Sequence, residues 1–131
     1  MTLTNGIGRY IDLPVEHPPF VISVARNGSF PGTAFLQPRA FFATDDAHVL
    51  YPKSDVTPQA LLFVCALIRR ECYRFNYGRK WSLDKMRAWS IRLPCDRDGA
   101  PDWPWMARYM TTLDFSAAAF ATERCSGGAA R

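Results

Sequence analysis

Six prolines and four glycines fall within the first 52 residues. They cut this part of the chain into pieces too short for a normal helix. Proline removes a ladder donor, and glycine favours turns over regular elements. The breaks come at Pro14, Pro18-Pro19, Asn27-Gly28-Ser29, Pro31-Gly32, Pro38 and Asp45-Asp46. Between them lie short apolar or β-branched runs: Tyr10 to Leu13, Phe20 to Ala25, Thr33 to Gln37, Phe41 to Ala43 and His48 to Tyr51. Each reads as a brief strand. Many short strands at close spacing predict a curved or partly barrelled sheet.

The next segment has the opposite character. Gln59 to Tyr73 holds no glycine or proline. Thr57 is a good N-cap, and Pro58 at the first helical position presets the backbone angle a helix needs. Leu61 to Ile68 is apolar nearly all round, as in a buried helix. Arg69, Arg70 and Arg74 place cations at its C-terminal end, where the helix dipole favours them, and Gly78 can stop and reverse the chain. Ser82 caps a short helix to Ala88, Ser90 to Leu93 reads as a strand closed by Pro94, and Asp96 to Pro101 is a polar turn. Asp102 caps a last helix from Trp103 to Leu113, with Pro104 tolerated in its first turn. The expectation is an α+β fold, or mixed α/β. It comprises a short-stranded, twisted, partly barrelled sheet with one buried helix and two shorter ones. Residues 1–115 form one domain, and the Ala-, Ser- and Gly-rich stretch 116–131 is a flexible tail.

With 131 residues, 48% hydrophobic and 21% charged, the chain can bury a core of its own. The net charge of +4 is compatible with a polyanionic partner without demanding one. Thirteen arginines against three lysines suit bidentate phosphate and base contacts, although a GC-rich genome gives the same bias. Cys65, Cys72, Cys95 and Cys125 form no C-x-x-C pair, and His17 and His48 are not near them. Idle or buried thiols in a reducing compartment fit this spacing better than a zinc site. No metal and no cofactor is expected. The N-terminus lacks a basic region followed by an apolar run, and Ala60 to Ile68 is too short to span a bilayer. The protein reads as cytoplasmic, away from membranes.

Catalytic patterns are weak. Glu16-His17-Pro18-Pro19-Phe20 echoes the loop with which amino-methyltransferases grip a target amine. His17, however, stands where an amine acceptor belongs, and no glycine-rich cofactor loop precedes it, so a turn is the better reading. Asp45 and Asp46 with Lys53 suggest a metal-dependent nuclease, but the acid-spacer-lysine arrangement is missing. A turn between strands accounts for these aspartates. No nucleophile elbow is present.

Tyr73 to Trp81 packs four aromatic rings and three cations around one glycine. Such a segment suits a nucleic acid, with cations on phosphates and Arg on guanine edges. The competing reading is a helix end with core rings and solvated cations. Arg26-Asn27-Gly28-Ser29, followed by Gly32, offers polar side chains beside freed backbone N–H groups, as a phosphate contact does. A plain polar turn has the same spacing, and Asn5-Gly6 is also turn chemistry.

Four pieces in series carry a resemblance: Thr4 to Gly8, Val24 to Ser29, Phe41 to Leu50 and Tyr73 to Trp81. Their order resembles the target recognition domains of restriction–modification specificity (S) subunits, of type I or of the BcgI-like type IIB/IIG group. Met86 to Pro94 is similar to the point where such a domain meets its spacer helix. The turn at Asp98 to Trp103 fits the BcgI-like proteins. The likeness runs from Leu3 to Leu113.

The resemblance implies a sequence-specific reader of double-stranded DNA with no active site of its own. Such a reader acts with a DNA methyltransferase subunit and, in some systems, a restriction subunit. It also implies a twisted sheet with short helices whose loops enter the major groove. DNA-binding residues are then expected at Arg26, Ser29 and Lys80 for phosphates, and at Asn27, Tyr77 and Arg79 for bases. Phe75 and Trp81 are expected in the core. A type I S subunit carries two recognition domains and two long coiled-coil helices, whereas here there is one domain and no heptad helix. The start of a typical recognition domain is not matched either. A fragment, a split half that pairs with itself, or a relic all remain open. Two rivals stand beside this reading: a protein–protein adaptor with an aromatic, Arg-rich hot spot, and a small enzyme of unfamiliar type.

Overall fold

A computed structural model of the chain describes residues 6–10, 12–26, 31–74 and 81–113. Three short strands form an open antiparallel sheet in the order β2-β1-β3: β1 Val21–Ala25, β2 Ala34–Gln37 and β3 Ala47–Leu50. The class is α+β, as expected. The sheet is not closed into a barrel, which corrects the partly barrelled expectation. Prolines explain much of the difference. The β1/β2 ribbon reappears beyond Pro18-Pro19 and Pro38 only as one isolated bridge between His17 and Phe41. Backbone bonds of 2.9 and 3.0 Å hold that bridge. Phe41 to Ala43 therefore does not become a strand. The expected strand at Tyr10 to Leu13 includes Ile11, outside the described residues, and its other three residues are not in strand conformation.

β1 is the central strand, and alternation decides what it buries. Register pairs Ile22 with Leu36 and Leu50, and Val24 with Ala34 and His48. These residues share the face turned to α1, Pro58–Arg70. On the other face Ser23 and Gln37 are buried polar residues, and Gln37 Nε2 donates to Ser23 Oγ at 2.7 Å. That bond offsets the cost of taking two polar groups out of water.

α1 forms where expected. Thr57 accepts from the Ala60 amide at 3.3 Å, and Pro58 opens the first turn. Its buried residues Ala60, Leu61, Cys65 and Ile68 recur at helical spacing, and Leu61, Cys65 and Ile68 pack on Ile22, Val24 and Ala34. A second face meets α3, Trp103–Thr111, where Phe63 stands edge-on to Trp105 and Tyr109. The helix is thus sandwiched, which accounts for its nearly uniform apolarity. A 3-10 turn, Cys72–Arg74, continues it, and α2 is Leu83–Ala88. Ser82 and Asp102 cap α2 and α3 by accepting from Lys85 and Trp105 amides. Ser90 to Leu93 is not a strand but irregular chain with Ile91 packed against the core. The Asp96 to Pro101 turn is present: Asp96 Oδ1 accepts from Asp98 and Ala100 amides, and Gly99 takes a φ of 82°.

Cys65, Cys72 and Cys95 are free thiols. Burial pushes the Cys65 thiol up to about 12, only partly opposed by the Arg69 charge. Its folded value lies above its unfolded one, so the protonated thiol's contribution is complete below about pH 8.5. That contribution fades as pH climbs from there toward 12. At pH 8 a thiol reagent should label exposed Cys95 in the native protein and Cys65 only after unfolding. Mass spectrometry of the labelled peptides reads the result, and native labelling of Cys65 at the same rate would refute its burial.

Candidate functional site

Arg26 is the one expected contact residue among the described residues. It is exposed and stands just beyond β1. Its amide donates to the Asp46 carbonyl at 2.8 Å, and its guanidinium reaches the Asp45 carbonyl at 3.5 Å. Ala25 donates to the Thr33 carbonyl at 2.9 Å, and Gly32 donates to Ala25 at 2.7 Å. The two ends of the segment holding Asn27 and Ser29 are therefore pinned together. Asn27 and Ser29 themselves lie outside the described residues, as do Phe75, Tyr77, Gly78, Arg79 and Lys80.

The chain on either side of residues 75–80 is described, and it converges on the same end of the sheet. On one side, Arg69 Nε donates to the Ala34 carbonyl at 2.6 Å, and its guanidinium lies 4.6 Å from the Phe35 ring centroid. Cys72 hydrogen-bonds Thr33 through its side chain, although burial is the larger influence and raises its pKa. These contacts set the end of α1 beside the start of β2. On the other side, His48 Nε2 lies 2.9 Å from the Trp81 carbonyl. A carbonyl can only accept, so His48 carries its proton on Nε2. His48 is paired with Val24, near the end of β1. Trp81 is 1% exposed, in the core as expected, and stands edge-to-face with Trp89 at 5.1 Å.

Two segments in which contact residues were expected thus leave one end of the sheet, where Ala25, Ala34 and Ala47 lie. Asp45 and Asp46 belong to this end as a turn. Thr44 supplies a side-chain acceptor there, to the Asp46 amide at 3.4 Å. Among the described residues, no group of three or more His, Cys, Asp or Glu is placed to hold a metal ion. No described helix is long and apolar enough to cross a membrane. Glu16 to Phe20 lies before β1, at its opposite end. His17 there sits between Phe41 and Tyr51, with Nδ1 2.6 Å from the Tyr51 hydroxyl.

Next to the converging ends is a cleft of about 460 Å³ that sequence reasoning missed. Arg70, Arg74 and Arg92 line it, with Tyr73 and Trp89. Its lining includes one carboxylate, Glu71, in an ion pair with Arg74 Nε at 2.6 Å. Arg74 also donates to the Tyr73 hydroxyl at 3.1 Å. That bond first, and Glu71 second, hold the Arg74 guanidinium above its ordinary value, so it stays charged. The cationic end of α1 was legible as a dipole complement. Its meeting with Arg92 was not, because the approach depends on how the chain after α2 packs back.

Against known proteins, the chain is distantly similar to a specificity subunit of a restriction enzyme. It is 27% identical over 104 residues to a protein described as the type II restriction enzyme BgcI specificity subunit S.BcgI, from Heyndrickxia coagulans. The match covers 79% of this chain and 30% of that protein, so the chain spans about a third of its relative's length. No protein-family model matches the chain, and no solved structure does.

Proposed function

We propose that this chain is a DNA target-recognition module of a restriction–modification system, a BcgI-like or type I specificity component without catalytic activity of its own. The observation that carries this reading is the distant similarity to S.BcgI over 104 residues. The geometry supports it. A reader needs variable tips on a rigid frame, and here two glycine-containing, Arg-bearing segments are tethered at one end of a sheet braced by a helix. Arg26, Ser29 and Lys80 contact phosphates, and Asn27, Tyr77 and Arg79 face base edges. The chemistry belongs to a DNA methyltransferase subunit, with which this module assembles in the cytoplasm.

Selection from randomised duplexes, alone and with a candidate DNA methyltransferase subunit, tests the reading. The expected result is one enriched target, held more tightly by the wild type than unselected duplex. Retention of no sequence above background, with or without the methyltransferase, would refute it. Salt separates this reading from a protein adaptor, because affinity for the selected duplex should fall steeply between about 50 and 200 mM salt.

A further inference from the structure

We propose that the cleft between the end of α1 and the chain after α2 seats a backbone phosphate of the bound DNA strand, outside the base-reading segments. This rests on the target-recognition reading and extends it to a surface that neither the resemblance nor the contact residues named above include. Arg70, Arg74 and Arg92 face a shared space of about 460 Å³. Glu71 is occupied by Arg74 at 2.6 Å. Arg70 and Arg92 form no ion pair among the described residues and are exposed. Two exposed arginines without an ion pair, lining one cleft whose carboxylate is paired with a third, supply donors that suit a phosphate.

The helix dipole cannot be the source of this attraction. The cleft lies at the C-terminal end of α1, which carries partial negative charge. Any anion held there is held by the arginines. The ring surfaces narrow the ligand further. Tyr73 is 77% exposed beside Arg74, whose guanidinium lies 5.5 Å from its ring centroid, and half-buried Trp89 forms part of the lining. A nucleotide offers a charged phosphate beside an apolar sugar edge, and this mixture matches both. Position is the third argument. Arg70 follows the residue that bonds the Ala34 carbonyl, and Arg74 is the last described residue before the segment holding Tyr77 and Arg79.

The test measures binding of the selected duplex by fluorescence anisotropy across a salt series, using the full chain. R70A/R92A should lower the slope of log affinity against log salt by about 1, for the one phosphate the cleft holds, and leave the selected sequence unchanged. R70K/R92K should restore the slope, because charge is kept. R97A/R108A removes as much charge from exposed sites elsewhere and should leave the slope as it was. An unchanged slope in R70A/R92A overturns the proposal, and so does an equal fall in R97A/R108A. Loss of methyltransferase association with an intact slope also overturns it, and makes the cleft a protein contact. If the wild type selects a target but its slope ignores the cleft, only the cleft assignment falls. If the wild type selects nothing, the recognition reading falls with it.

Discussion

Trp81→Ala lowers folding stability by about 3–5 kcal/mol, the usual cost of emptying a buried Trp site. Marginal domains hold only about 5–15 kcal/mol in total, so this one change leaves much of the chain unfolded at physiological temperature. The expectation rests on three contacts. Trp81 is 1% exposed, it stands edge-to-face with Trp89, and it belongs to the cluster that joins β1 to α1 through Ile22, Val24, Leu61, Cys65 and Ile68. The backbone bond from His48 survives the substitution, so the loss reports the side chain. Urea unfolding monitored by far-UV circular dichroism gives the midpoint and slope for both proteins. Trp81→Phe keeps part of the ring and should lose less. A drop below about 1 kcal/mol for the alanine variant, within the range of surface changes, would remove Trp81 from the core.

If Arg79 reads a base, as proposed, Arg79→Ala should weaken binding of the selected duplex by about 1–3 kcal/mol and relax preference at one base position. Arg26→Ala acts differently. It weakens all sequences to a similar degree and reduces the salt slope by about 1. The contrast is what makes the pair informative, because a base contact and a phosphate contact leave different signatures. Arg26 is exposed and its backbone is fixed by the Asp46 carbonyl, so its removal leaves the fold intact. Parallel titrations of target and scrambled duplexes decide the matter. Unchanged affinity in both variants would show that these guanidiniums face away from the groove.

Much of the fold was legible because local chemistry agreed with the tertiary outcome. Thr57-Pro58, Ser82 and Asp102 each announced a helix start, and each is the cap the structure uses. Where local and long-range preferences diverged, the sequence misled. Ser90 to Leu93 has strand composition, but Ile91 takes its place against the core without a partner strand. The curvature expected of many strands depended on Phe41 and Tyr10 pairing further, and prolines on either side shortened the ladder to a single bridge at His17 and Phe41. At the candidate site, Arg26 stood out through its glycine loop. Arg70 and Arg92 did not, because nothing local links them. His48 was equally silent: a histidine on a strand gives no hint that it will fix the return of a segment 33 residues away.

The tethering of both segments at their feet has an evolutionary consequence. Ala25 to Thr33, Arg26 to Asp46 and His48 to Trp81 close each segment through backbone carbonyls, which every residue type supplies. Substitutions and small insertions between those anchor points need not disturb the scaffold, so on the proposed target-recognition reading new specificities can arise by exchanging a handful of residues. A lineage that must keep changing what its recognition module reads, without relearning how to fold, would gain from such a division of labour.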